Sequence, residues 1–143
     1  MEFTFLSKKF YEDYPYENYQ QLERKELRPY THIELEVYNA KFAVPLRSNI
    51  EHPHAFFTNK KEKCGVDFSK AVVVTDPEYI DDTKTAFLRP DEYSKLRGKE
   101  YRLKKMLLEY IDLYKKAKSD EDVPHREKIL NYSSLQYFEK YIY

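Results

Sequence analysis

Residues 28–54 read RPYTHIELEVYNAKFAVPLRSNIEHPH, and the reading of this stretch decides the fold. Within it, residues 31–38 (THIELEVY) alternate polar and apolar side chains, with Ile33, Leu35 and Val37 on one face. A period of two marks a half-buried strand. Asn39, Ala40 and Lys41 supply a polar turn, with an asparagine that tolerates left-handed backbone geometry. Residues 42–46 (FAVPL) form the return strand, so an antiparallel hairpin is predicted. Pro45 has no N–H for a sheet ladder, which places it at an edge or a bulge. Past the strand the chain carries Arg47, Ser48, Asn49, His52 and His54. Polar and cationic groups just beyond a strand end are where a rigid scaffold presents chemistry.

Upstream, residues 2–6 alternate and predict a first strand, and Ser7 caps a short helix over 8–14 that Pro15 stops. Residues 16–26 read as a polar loop or a short surface helix. Downstream, residues 55–58 suit another short strand, and Gly65 predicts a turn with positive φ. Residues 71–74 (AVVV) are the most apolar β-branched run and predict a central strand buried on both faces. Residues 85–88 are a further extended candidate. Pro90 and Asp91 open the longest helix, which runs to residue 118 and carries Leu96, Leu103, Leu107, Tyr110 and Tyr114 on its buried face. Gly98 weakens its first half. A short helix over 126–131 and a last segment capped by Ser133 complete the chain. Strands come early and a long helix follows, so the class is α+β, in a single domain over residues 1–143.

Hydrophobic residues at 41% suit a soluble globule, and a mean hydropathy of -0.86 requires a polar surface. The 15 Tyr and 9 Phe serve either as core filler with hydroxyls reaching water or as platforms for stacked bases. Lys and Arg number 25, as do Asp and Glu, so the net charge is zero and nucleic-acid binding requires segregated charge. Segregation is visible: Lys95, Arg97, Lys99, Arg102, Lys104 and Lys105 cluster, as do Asp76, Glu78, Asp81 and Asp82. The single cysteine, Cys64, excludes an internal disulfide and fits a reducing cytoplasm. The first residues are too short for a signal-peptide core, and no apolar run approaches a membrane span.

Phosphate-cradling and nucleophile-elbow motifs are absent, and two glycines are too few for a phosphate loop. His32, His52, His54 and Cys64 match no common zinc spacing, so no metal or other cofactor is expected, although a zinc-dependent hydrolase on His52, His54 and Cys64 stays open. The loop inventory suffices for metal-free RNA cleavage, in which a 2′-hydroxyl attacks the adjacent phosphate. Arginine binds phosphate in a bidentate way, Ser and Asn fix the phosphate or the hydroxyl, and His moves protons near neutral pH. The same groups also occur as ordinary loop and surface residues at strand ends.

RPY, a strand ending LEV, then KFAVPLRSNIEH and later GVDFSKAVVV resemble the ToxN/AbiQ-like endoribonuclease toxins of type III toxin–antitoxin systems, in particular their TenpN-like branch. The likeness covers residues 27–74; the first strand and long helix agree in placement. It implies a compact, strongly twisted antiparallel sheet with helices around it, related to MazF/Kid-like toxins. It also implies metal-independent endoribonuclease activity leaving a 2′,3′-cyclic phosphate. The implied partners are cellular RNA and a small pseudoknot antitoxin RNA that assembles with the toxin. The family serine falls on Ser48, Arg47 stands where a threonine is usual, and Ile50 stands where a lysine is frequent. His52 is our substitute for that lysine, and a basic residue entering the hairpin falls on Arg28. Catalytic candidates are therefore Ser48, Arg47, His52 and Arg28. RNA contacts are expected from Asn49, His54, Lys60, Lys61, Lys63, Lys70, Arg97 and Arg102, with Asp67 shaping a turn. A nonenzymatic RNA-binding regulator would use the same basic surface.

Overall fold

The computed structural model describes residues 1–24 and 30–143. At its centre β2 (Thr31–Val37) and β3 (Ala40–Arg47) pair antiparallel, with Ile33 opposite Val44 and Leu35 opposite Phe42. Ile33, Leu35 and Val37 are buried and Glu36 is exposed, as a period of two requires. The turn is tighter than the sequence predicts. Tyr38 and Asn39 alone join the strands, with φ of 54° and 55°. Two left-handed residues match the twist of the flanking strands, so Ala40 and Lys41 belong to the return strand.

β1 (Glu2–Phe5) flanks β2, while β5 (Cys64–Asp67) lies between the end of β3 and β4 (Ala55–Asn59). β6 (Val72–Val73) pairs with the middle of β3. Among the described residues this is a six-stranded antiparallel sheet in the order β1-β2-β3-β5-β4, with β6 beside β3. Pro45 is therefore in a central strand, not at an edge. A two-residue turn makes Val37 and Ala40 a hydrogen-bonded pair, so alternate residues Lys41, Ala43 and Pro45 aim their backbone groups away from β2. On that side β3 meets β6 at Phe42–Ala43 and β5 at Leu46–Arg47. Pro45 stands at the change of partner, where no ladder N–H is required.

The helices are α1 (Lys8–Asp13), α2 (Pro90–Leu96), α3 (Glu100–Ser119) and α4 (Arg126–Tyr132). Ser7 caps α1 by accepting from Phe10 N–H at 3.3 Å, and Ser133 accepts from Leu135 N–H at 3.1 Å to open the terminal 3-10 turn. The long helix is interrupted rather than weakened. Gly98, at φ 72°, separates α2 from α3, because a left-handed residue ends helical hydrogen bonding. Its predicted apolar face still holds, with Leu96, Leu103, Leu107, Tyr110 and Tyr114 all buried. They join Phe10, Ile33, Phe42, Phe68 and Phe138 in one hydrophobic cluster between sheet and helices. No helix among the described residues is long and apolar enough to cross a membrane.

Three expectations fail for identifiable reasons. Residues 71–74 are nearly all buried, but only Val72 and Val73 pair, because the chain leaves a 3-10 turn (Phe68–Lys70) just before them. Residues 85–88 form no strand. Gly65 is extended within β5, and the positive φ of that hairpin falls on Lys63 at 57°. Gly65 is needed for close approach instead: a Cβ there would sit 2.2 Å from the backbone oxygen of Phe56. Gly65→Ala should accordingly cost about 3 kcal/mol in urea unfolding, as overpacking against unyielding backbone does. Gly98→Ala, strained but in open space, should cost about 1–2 kcal/mol. Equal losses would contradict this assignment.

Candidate functional site

Asp67 ends β5 with its side chain fully buried, and three segments converge on its carboxylate. It caps the 3-10 turn by accepting from Ser69 N–H at 3.0 Å and from the Ser69 hydroxyl at 2.6 Å. From the end of β3, Arg47 Nη1 donates to it at 2.5 Å, while Arg47 Nη2 pairs with Glu23 at 3.2 Å. From the β3–β4 loop, His52 Nε2 lies 3.1 and 3.2 Å from its two oxygens. Burial pushes the Asp67 carboxyl up, but the hydrogen bonds from His52, Ser69 and Arg47 outweigh it and hold the group below the usual carboxylate range. Burial likewise opposes the Arg47 charge, and Glu23 and Asp67 raise it above its ordinary value.

The protonation of His52 follows from its partners. Its Nδ1 accepts from the backbone N–H of His54 at 3.0 Å and so carries no proton, which leaves Nε2–H as the donor to Asp67. Ser69 Oγ is also 3.1 Å from Nε2, but that nitrogen offers it no lone pair, and the serine proton goes to Asp67. The geometry is therefore that of a polar hub that shapes the loop, and it lacks the base-to-nucleophile bond of a hydrolytic triad.

The loop held by this hub separates two clefts. A groove of about 810 Å³ is lined by Glu51, His52, Phe56, Lys60, Lys63 and Arg102, among others. Its cations come from the β4–β5 turn and from α3, and Lys63 is paired with Glu51 at 2.7 Å. The second cleft, about 600 Å³, shares Glu51, His52 and Pro53 with the groove and adds His54, Tyr110, Lys128 and Tyr132. His54 stacks on His52 at 5.5 Å and leans on Tyr110 at 5.4 Å, and its ring has no hydrogen-bond partner among the described residues. Burial and the adjacent His52 push its pKa below the ordinary imidazole value, against Asp67, so at neutral pH it presents a free lone pair.

The other candidates distribute unevenly. Ser48 and Asn49 are exposed where the loop begins, Asn49 with φ 56°, and neither lines either cleft. Lys61 and Arg97 are exposed, the latter at the end of α2. Lys70 is partly buried and donates to Gln21 Oε1 at 3.0 Å and to the Tyr132 carbonyl at 2.7 Å. Arg28 lies outside the described residues. The hub role of Asp67 escapes a sequence reading that gives it only a turn, although an acid closing an apolar strand two residues before a serine was the available signal. Tyr110, read as core, also faces the second cleft.

The ligand set drawn for zinc is not assembled: among the described residues no three His, Cys, Asp or Glu side chains gather as a metal-holding group. Cys64 is buried with its thiol toward the Glu62 carbonyl, and His32 is buried with Nδ1 donating to the Tyr30 carbonyl at 2.9 Å. Comparisons with protein-family models, curated proteins and solved structures find no match.

Removing Arg47 strands a buried carboxylate, so Arg47→Ala should cost about 3–5 kcal/mol in denaturant unfolding, and Asp67→Asn added to it should recover part of the loss. Additive losses would show that the pair is not coupled. His32 gives a second test, because burial lowers its pKa from 6.5 to about 4. Between these values the unfolded chain binds a proton that the folded chain does not. Its contribution is complete above the unfolded value and declines as pH falls toward the folded one, by about 3 kcal/mol in all. His32→Gln should reduce the slope of stability against pH by about 1.4 kcal/mol per pH unit in that window. An unchanged slope would assign the acid sensitivity elsewhere.

Proposed function

We propose that the protein is a metal-independent endoribonuclease, the toxin of a type III toxin–antitoxin system acting in the cytoplasm. The observation that carries this reading is the groove in which Lys60, Lys63 and Arg102 meet His52. Three cations against one carboxylate form a track for a phosphate backbone, in a chain whose overall charge is zero. His54 beside it is neutral, unpartnered and half-buried, as a proton acceptor requires.

In this mechanism the RNA backbone lies along the groove and the scissile ribose reaches the loop at residues 52–54. His54 accepts the 2′-hydroxyl proton, the 2′-oxygen attacks phosphorus, and the 5′-oxygen leaves with a proton from water. A 2′,3′-cyclic phosphate results. Lys60 and Arg102 stabilise the charge that gathers on the phosphate. His52, Asp67 and Arg47 hold the loop in register; phosphate contacts from Ser48, which lines neither cleft, and from Arg28 rest on the family likeness alone. A small structured antitoxin RNA would occupy the same groove in a protein–RNA assembly, on a MazF/Kid-like sheet.

A nonenzymatic RNA-binding regulator is the second reading. Its support is that Arg47 and both ring nitrogens of His52 are engaged inside the protein.

Protein freed of bound RNA should cut mixed cellular RNA at discrete sites in EDTA and leave cyclic phosphate ends. His54→Gln should slow this by about 10²–10⁴-fold, the worth of a positioned base. Lys60→Ala with Arg102→Ala should flatten the log–log salt dependence of binding by about 1.4, or about 0.7 per lost contact to a single strand. RNA bound with that salt dependence yet left intact would favour the regulator. Binding indifferent to salt would sink both readings.

A further inference from the structure

The second cleft is not used by phosphate contacts, and its chemistry differs from that of the groove. Pro53, Tyr110, Ile129 and Tyr132 give it flat or apolar walls, while the buried Ser69 and Ser133 line it with hydroxyls already tied to Asp67 and to Leu135 N–H. The unpartnered His54 ring faces it, and Lys128 contributes a cation. Its volume of about 600 Å³ suits a small organic group. It lies across the loop from the basic groove, and Glu51, His52 and Pro53 form part of the wall of both.

We infer that this cleft receives a single nucleobase, turned out of a strand whose phosphates follow the basic groove. The inference rests on the RNA reading and adds the element that reads sequence. Phosphate contacts position a strand without identifying it, whereas an unstacked base offers its ring to aromatic faces and its edges to hydrogen-bonding groups. Tyr132 and Tyr110 are the aromatic groups, and Lys128 is the group that meets the base edge. The Tyr132 ring is largely exposed, and its backbone carbonyl is held by Lys70, so the side chain can be cut back without touching that tie.

The test uses uncleavable 2′-O-methyl hexanucleotides of A, C or U, beside an abasic hexamer with the same phosphates. Fluorescence anisotropy gives each affinity. Wild-type protein should bind at least one base-bearing hexamer about tenfold tighter than the abasic one, the scale of a stacked base. Tyr132→Ala should shrink that preference to under about threefold without weakening abasic binding, and Tyr132→Phe should keep it. Lys60→Ala with Arg102→Ala should weaken all hexamers alike. Equal binding of base-bearing and abasic hexamers by wild-type protein overturns the inference alone, as does a preference that survives Tyr132→Ala. Failure to bind any hexamer overturns the RNA reading and this inference with it.

Discussion

The carboxylate of Asp67 is the constraint on which the site depends. A charge removed from water costs several kcal/mol unless partners replace its hydration. Asp67 is fully buried, and its replacements come from the strand before the loop, the loop itself and the turn after β5. Each donor is thereby fixed in space. Arg47 ties the end of β3, His52 fixes the β3–β4 loop, and Ser69 sets the turn that carries the chain into β6. The backbone N–H of His54 then completes the arrangement by donating to His52.

This hub explains how a short loop between two clefts keeps its form. A seven-residue segment with no regular structure would otherwise sample many conformations, at a cost of about 1–2 kcal/mol per residue to order. Here its ends are strands, its middle is anchored by Ile50, which is buried and whose N–H donates to the Lys63 carbonyl at 3.0 Å, and its histidine is bonded at both ring nitrogens. The ring left unbonded, His54, is the one held between the hub and Tyr110. A fixed neighbour on each side holds that ring in place, whereas both nitrogens of the partly exposed His52 are committed to the hub.

Charge is organised in the same way. Overall neutrality conceals a groove bearing Lys60, Lys63 and Arg102 and a separate cleft bearing Glu34, Asp76 and Asp82 with Lys41. Separation of this kind produces local fields that a net charge of zero does not reveal, and such fields attract and orient charged ligands.

Periodicity made much of the fold legible. The alternation of Ile33, Leu35 and Val37 and the helical spacing of Leu103, Leu107, Tyr110 and Tyr114 are local properties, and burial followed them. Ser7 and Ser133 were recognisable caps because a cap also depends on near neighbours. The site was legible only as an inventory, with His52, His54, Lys60, Lys63 and Arg102 named but not joined. What the sequence alone determined was the α+β class, the hairpin and the buried faces, since each is set within a few residues. Tertiary structure decided that Pro45 sits where β3 changes partner and that Gly65 is needed for close approach to β4. It also decided that Asp67 gathers Arg47, His52 and Ser69, and that the His54 ring has no hydrogen-bond partner among the described residues. Those outcomes depend on contacts between segments distant in sequence, where burial and hydrogen bonding act and local pattern carries no record of them.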